Sequence, residues 1–136
     1  MNRLVTIIAI VTLCCLTGFR NPPGAARYIE LGDKAQSEGR TADALELYSK
    51  GIILAPDNPD YYMTRAFLFM KLKRSDDALR DLGSYIERSP NSVQGYMSRG
   101  MLLDDLGRKQ EANADFLQAC RLGDPGGCSF AGEGNK

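Results

Sequence analysis

The sequence of 136 residues predicts an all-α fold, an α-solenoid of three antiparallel helix hairpins behind an N-terminal apolar signal or anchor helix. Three observations support this prediction: a repeat of 34 residues, apolar side chains at helical spacing within each repeat, and turn residues between them. The length suits one domain of ordinary size, because a single hydrophobic core serves about 100 to 200 residues.

The composition excludes several classes of function. The chain has 17 basic and 17 acidic side chains, so nucleic-acid binding through bulk positive charge is not expected. It has no histidine, which removes the commonest general base and the commonest metal ligand. Two of its four cysteines lie within an apolar N-terminal run. It also lacks a phosphate-binding glycine loop. We therefore expect a protein that is not an enzyme and that has no cofactor and no metal site.

The first element is an uncharged run of sixteen residues, from Leu4 to Phe19. Such a run is typical of a signal peptide and is short for a membrane span, which needs roughly 20 residues, although a thin bilayer could hold it. Cys14 and Cys15 leave lipidation open, although neither follows the small residues that lipidation sites carry. Residues 1–24 are therefore predicted to be a signal peptide or a membrane anchor. We expect an exported protein, periplasmic or anchored facing the periplasm of a bacterial envelope.

The 34-residue repeat organises the rest of the chain. Tyr28, Tyr62 and Tyr96 are each 34 residues apart, and the segment that starts at Tyr62 recurs almost unchanged at Tyr96. The predicted repeats are 25–58, 59–92 and 93–126, followed by a Gly-rich tail at 127–136. The same spacing relates further sets of small and large residues: Gly32, Ala66 and Gly100; Ala44, Ala78 and Ala112; Tyr48, Leu82 and Phe116; and Pro56 with Pro90.

These residues resemble the tetratricopeptide repeat family, whose 34-residue unit carries an aromatic residue, a small residue, an Ala-x3-aromatic pair and a closing proline. The first repeat is the most similar, with Tyr28 and Gly32, then Ala44 and Tyr48, then Pro56. The resemblance covers about residues 25 to 126. It implies paired helices in which the small residues allow close approach and the large residues fill the core.

Helix ends can also be predicted from the sequence. Asn58 before Pro59 is typical of an N-cap followed by proline at the first helical position. Thr41 and Ser75, 34 residues apart, are expected to cap the second helix of their hairpins. Tyr85 departs from the pattern, because Gly51 is the small residue at the equivalent place.

The turns within the hairpins require a residue of positive φ. Gly39 and Gly107 can supply it without strain. Lys73 occupies the same place in the second repeat, where a left-handed conformation should cost about 1 kcal/mol.

The C-terminal tail holds a second pair of cysteines. Cys120 and Cys128 flank the turn residues 123–125, and this spacing is similar to that of secreted, cysteine-rich helical repeats. That resemblance implies a disulfide that pins the tail over the last helix; two free thiols are the alternative. Phe130 and Gly134 continue the 34-residue register, so the tail is a candidate for a fourth first helix, kept short by its glycines.

The family resemblance also implies a working surface, because the first helix of each hairpin lines a concave face. All methionines beyond Met1 fall there, and methionine suits surfaces that repack around varied apolar ligands. An ordinary buried core is the alternative for the same stripe. The side chains expected to form a peptide-binding groove are Ile29, Asp33, Met63, Phe67, Met70, Met97, Met101 and Asp104, with Gln36, Ser37, Lys71 and Asp105 beside them.

The groove residues indicate the kind of partner. Some chaperone-binding members of the family grip a terminal carboxylate with Lys and Asn; the matching pairs here are Ile29 with Asp33, Met63 with Phe67, and Met97 with Met101. We therefore expect another polypeptide, an envelope protein that offers an apolar peptide or helix with basic flanks. Two alternatives remain: a structural subunit of a homo-oligomer or larger envelope assembly, and a protein that binds an apolar small molecule.

Arg65 and Arg99 recur at equivalent places and have two interpretations. They are either an anion site or side chains whose stems pack on the tyrosines while their guanidinium groups reach carboxylates. The second interpretation is the one we expect.

Overall fold

The computed structural model describes residues 23–133, which form helices and turns and no strand within that range. The predicted signal or anchor segment, with Cys14 and Cys15, lies outside the described residues, and so does Gly134. None of the helices from residue 23 to residue 133 is long and apolar enough to cross a membrane. The helices are α1 (Pro23–Ser37), α2 (Thr41–Leu54), α3 (Pro59–Lys71), α4 (Ser75–Arg88), α5 (Val93–Asp105), α6 (Lys109–Arg121) and α7 (Pro125–Glu133).

The first six helices pair as three antiparallel hairpins, α1 with α2, α3 with α4 and α5 with α6, and consecutive hairpins pack on each other. The predicted all-α solenoid of three hairpins is confirmed. Inside each hairpin a small residue of the first helix faces a large residue of the second. A Cβ atom on Gly100 would lie 2.7 Å from the ring of Phe116, and one on Gly32 would overlap the ring of Tyr48.

The two junctions between hairpins are filled by different combinations of large and small residues. Tyr85, which departs from the repeat pattern, is buried, and a Cβ on Gly95 of the next hairpin would lie 2.8 Å from its ring. At the equivalent places of the first junction the sizes are exchanged, with Gly51 in the first hairpin and Tyr61 in the second. The glycine on the neighbouring helix thus accommodates the larger side chain of Tyr85.

The two recurring arginines form ion pairs within their own hairpins. Arg65 binds both carboxylate oxygens of Asp81 at 2.7 and 2.8 Å, and Arg99 binds those of Asp115 at 2.8 and 2.7 Å. The hydrogen bonds to Asp81, opposed by burial, raise the pKa of Arg65. Because both guanidinium groups are occupied by carboxylates, these arginines do not form an anion site. Arg65 also donates to Ser49 of the preceding hairpin at 2.9 Å.

The predicted caps are partly right. The Asn58 side chain accepts from the Asp60 backbone N–H at 3.0 Å, as expected of an N-cap. Thr41 and Ser75 were expected to cap the second helices, and that prediction is wrong, because both are already the first helical residue. The cap is an arginine in every hairpin, and it binds an acidic side chain three residues on: Arg40 with Asp43, Arg74 with Asp77, and Arg108 with Glu111.

The last helix, α7, begins where the repeats end. The Gly127 backbone N–H donates to the Asp124 side chain at 2.6 Å, and Pro125 provides a first helical residue that needs no hydrogen bond. A Cβ on Gly127 would lie 2.8 Å from the carbonyl oxygen of Phe116, so only glycine lets α7 approach α6 this closely. Phe130 stacks on Phe116, with ring centroids 5.1 Å apart. The tail is thus a short first helix packed on the third hairpin.

Cys120 of α6 and Cys128 of α7 are bonded through their sulfur atoms in the structure, with their Cα atoms 4.6 Å apart. The turn between the two helices makes this approach possible, because residues eight apart in one continuous helix are about 12 Å apart. The bond joins α7 to the last hairpin at one end, while the stacked phenylalanines join them further along.

The turn residues provide a test of backbone strain. Gly39 and Gly107 have φ of 75°, as predicted, and Lys73 has φ of 58° at the equivalent place. We predict that Lys73→Gly raises the free energy of unfolding by about 1 kcal/mol, because glycine adopts this conformation without a steric penalty. Urea unfolding measures the change, with Gly107→Lys as the matched variant, which should lose a similar amount. Equal stability of the wild type and Lys73→Gly would contradict the strain at this turn.

The disulfide gives a second test. In a chain with Cys14 and Cys15 changed to serine, titration under denaturing, non-reducing conditions should find no free thiol. Changing Cys120 and Cys128 to serine as well should lower the free energy of unfolding by about 2.5 kcal/mol, because the closed loop restricts the unfolded chain. Two titratable thiols in the first chain would show that the bond does not form.

Candidate peptide-binding face

The first helices α1, α3 and α5 lie side by side and present a shared surface on the side away from the second helices. Residues of α1 and of α3 line one surface pocket together, which shows that the two first helices are neighbours there. Met63 of α3 belongs to the same buried cluster as Leu102 of α5. We call this surface the first-helix face; it contains the residues predicted from the sequence to form a groove.

Two apolar side chains are offered to solvent on this face. Phe67 of α3 is 40% exposed and Met101 of α5 is 44% exposed. They occupy the same position of consecutive repeats, so they stand next to each other across two neighbouring first helices. Their neighbours in the chain, Ala66 and Gly100, face the second helices and are buried. Phe67 and Met101 therefore add little to the core and remain available for a ligand.

Met63 is placed differently from the sequence-based expectation. Its side chain is only 5% exposed and packs in the main hydrophobic cluster. The assignment of Met63 to an exposed groove lining is therefore wrong, and the alternative of buried core holds for this residue. Met63 belongs to the buried cluster that extends from the second hairpin to Leu102 of α5, whereas Phe67, one turn later, lies outside it.

The remaining apolar candidates are half-buried. Met70 packs against the main cluster, and Ile29 contacts both that cluster and the one around Tyr48. Met97 packs against the cluster of the third hairpin, and its terminal carbon lies 3.8 Å from the Cβ position of Gly126 at the start of α7. Only part of each of these three side chains is accessible.

Acidic residues lie on both sides of the exposed pair. Asp33 of α1 accepts a hydrogen bond from the Tyr48 hydroxyl at 2.7 Å, and Gln36 accepts from the same hydroxyl at 2.9 Å. Burial, together with the hydrogen bond to Asp33, raises the pKa of Tyr48 well above its usual value. The hydrogen bond from Tyr48 fixes the position of Asp33 without bringing a positive charge next to it.

On the other side, Asp104 of α5 binds the Lys109 ammonium at 2.6 Å, and Asp105 beside it is exposed. This pairing reduces the charge that Asp104 presents, whereas Asp105 is part of no ion pair found in the described region. A pocket of about 340 Å³ between α1 and α3 adds mixed polar groups to the face; it is lined by Asp33, Gln36, Ser37 and Lys71.

The chemistry that this face can support follows from its side chains. Between residues 23 and 133 no group of three acidic or cysteine side chains is placed to hold a metal ion. The face combines two accessible apolar side chains, three half-buried apolar side chains and carboxylates at the margins. Such a surface can bind apolar side chains of a ligand and orient them through its charged ends.

Comparisons with known proteins agree with this architecture. A family model for the tetratricopeptide repeat matches residues 93–122. The TPR repeat-containing thioredoxin TDX of Arabidopsis thaliana is 38% identical over 89 residues, which are 65% of this chain and 23% of that protein. DnaJ homolog subfamily C member 3 of Rattus norvegicus is 37% identical over 95 residues, 70% of this chain and 19% of that protein. The chain thus spans about a fifth of the length of these curated relatives.

Among solved structures, the first TPR domain of Spaghetti (RPAP3), bound to the HSP90 peptide SRMEEVD, superposes with a TM-score of 0.70 and 23% identity. The match covers 82% of this chain and 90% of that one. At this identity the likeness concerns the fold.

The stacked hairpins and the first-helix face define a helical-repeat scaffold. The 34-residue period, together with the family model that matches residues 93–122, identifies the units of this scaffold as tetratricopeptide repeats.

Sequence reasoning missed the partners of the acidic margins. The sequence did contain a clue to the hydrogen bond between Tyr48 and Asp33, because Tyr48 has a hydroxyl group at the position where Leu82 and Phe116 have none. The sequence contains a weaker clue to the ion pair of Lys109 with Asp104, because the two residues belong to different helices and only the folded hairpin brings them together.

The different burial of two methionines can be tested by truncation. Met63→Ala should lower the free energy of unfolding by about 2 to 5 kcal/mol, because it leaves a cavity in the core. Met101→Ala should change it by less than about 0.5 kcal/mol, because that side chain is largely exposed. Urea unfolding of both variants checks this, and similar losses for the two would contradict the burial difference.

Proposed function

We propose that this protein is a non-enzymatic adaptor of the cell envelope, which binds a polypeptide segment across its first-helix face. The observation that carries the proposal is the exposed pair Phe67 and Met101 on neighbouring first helices, with acidic side chains on both sides. Exposed apolar side chains beside one another cost little stability when free and gain contact area when a ligand covers them.

The chemistry of the face favours one kind of segment. Its centre is apolar, and its margins carry the unneutralised carboxylates Asp33 and Asp105 against the single lysine Lys71 of the α1–α3 pocket. A segment with apolar side chains in the middle and basic residues at its ends matches this pattern. The HSP90 peptide in the Spaghetti structure, SRMEEVD, carries four acidic groups in its last four residues, counting its terminal carboxylate, and such a carboxylate-rich ligand would be repelled here.

The location belongs to the same proposal. The uncharged run Leu4 to Phe19 supports export, followed by release into the periplasm or retention at the membrane. An oxidising compartment would also favour the bond between Cys120 and Cys128. A protein held in this compartment would meet envelope proteins as partners.

We predict that a synthetic peptide with leucines at alternating positions in its middle and lysines at both ends binds at least about tenfold more tightly than its counterpart with glutamates at both ends. The acidic margins of the first-helix face attract only the lysine peptide. The HSP90 peptide SRMEEVD should bind as weakly as the glutamate peptide. Fluorescence anisotropy of labelled peptides gives the three dissociation constants. Equal affinity for the lysine and glutamate peptides would contradict the charge argument.

Substitutions can test whether the peptide binds on the first-helix face. Phe67→Ser with Met101→Ser should weaken binding of the lysine peptide by about tenfold or more, since the apolar anchors are lost. Leu117→Ser is the matched control, because Leu117 is 40% exposed but lies on the second helix α6. Loss of binding by the control alone would move the site to the opposite layer of the array.

A further inference from the structure

One edge of the first hairpin carries an apolar patch that the repeat pattern does not require. Ile53, in the last turn of α2, is 76% exposed, and Leu54 beside it is 42% exposed. The residues at the position of Ile53 in the second and third repeats are Glu87 and Arg121, which are exposed and charged. The fold therefore tolerates charge at this place, and the isoleucine needs an explanation outside the stability of the hairpin.

The patch lies where the chain enters the array. Because α1 and α2 are antiparallel, the end of α2 is next to the start of α1, and a side-chain carbon of Leu54 lies 3.6 Å from the Cβ position of Gly24. Helix α1 begins at Pro23, and the uncharged run ends at Phe19. The connection from residue 19 to residue 23 spans at most about 14 Å even when fully extended.

The composition of the uncharged run indicates which environment lies close to the start of α1. A helix that is apolar on all sides requires an apolar environment on all sides, which the interior of a protein or of a bilayer supplies. Packed against the first hairpin, the run would leave its outer side in water. A bilayer covers every side, so the run favours a lipid environment if it is retained, as the proposed location allows.

We propose that Ile53 and Leu54 dock on the surface of the lipid bilayer in which the run Leu4 to Phe19 is anchored. This inference rests on the membrane-anchored form of the proposed function. Two side chains form a weak contact by themselves, but a short tether raises their effective concentration at the membrane to about the millimolar range. One anchor and a second contact together are the usual requirement for stable membrane association.

The charges near the patch are consistent with an anionic lipid surface. Arg27 is exposed one turn into α1, and Arg20 precedes α1 in the sequence. Lys50 is also exposed, although it binds Glu46 at 2.6 Å. Asp57, exposed in the loop after α2, opposes this attraction. Docking would hold the first hairpin against the membrane and fix the direction in which the first-helix face opens.

The chain contains no tryptophan, so Ile53→Trp introduces a unique fluorophore at the patch. The full chain is reconstituted in vesicles of phosphatidylethanolamine and phosphatidylglycerol with brominated acyl chains, which quench tryptophan on contact. The matched control is Glu87→Trp, the same position one repeat later. We expect the tryptophan in place of Ile53 to be quenched at least about twofold more than the one in place of Glu87, because only the first reaches the acyl region.

Each other outcome overturns the docking. Equal quenching of the two variants in vesicle-bound protein shows an anchored chain whose first hairpin does not touch the lipid. A blue-shifted tryptophan at position 53 without bromine quenching shows that protein, such as a second copy of the chain, covers the patch. If the full chain does not float with the vesicles, the anchor fails as well, while the peptide measurements still decide the function of the first-helix face. Circular dichroism checks that both variants keep their helices.

Discussion

The fold depends on the contact between a small residue and a large one at the centre of each hairpin. Gly32 admits the ring of Tyr48, and Gly100 admits the ring of Phe116, at distances that exclude even a methyl group. In the middle hairpin Ala66 and Leu82, both fully buried, occupy the same places. Each hairpin then presents an apolar side that only a neighbour can cover, so stability is shared along the array.

This dependence explains why the architecture could be predicted from the sequence alone. A 34-residue period imposes the same helix pair three times, and the residues that repeat most strictly are those that pack between the paired helices. Lys73 shows how far the inference reaches. Its positive φ followed from its alignment with Gly39 and Gly107, although lysine itself gives no such signal.

Features that depend on contacts between different repeats could not be predicted in this way. Met63 and Met101 have similar chemistry and both lie on first helices, yet a neighbouring helix covers one of them and leaves the other open. The caps failed for a different reason. A hydroxyl at a helix start is a common cap, and a shift of one residue makes Thr41 the first helical residue and leaves the cap to Arg40.

Each first helix carries both residues that pack in the core and residues that the core does not need, and the candidate site consists of the second kind. Residues such as Gly100 and Leu103 hold the hairpin together, and Met101 between them is not needed for that task. The exposed positions can therefore vary without loss of the fold, which is why fold alone does not name a ligand. Charge at the margins adds the selectivity that the apolar centre lacks, and the fixed carboxylate of Asp33 supplies it without rearrangement.

The exchanged sizes at the two junctions give the array an inherent order. Tyr85 fits against Gly95, whereas Tyr61 stands at the place of Gly95 in the preceding repeat. A chain that duplicated its middle hairpin would set Tyr85 against a second tyrosine in the space of a glycine. Near-identical repeats risk misassembly during folding, in which a hairpin docks on the wrong neighbour. A tyrosine on both sides of this junction would clash, so the middle hairpin fits the third hairpin and not a copy of itself.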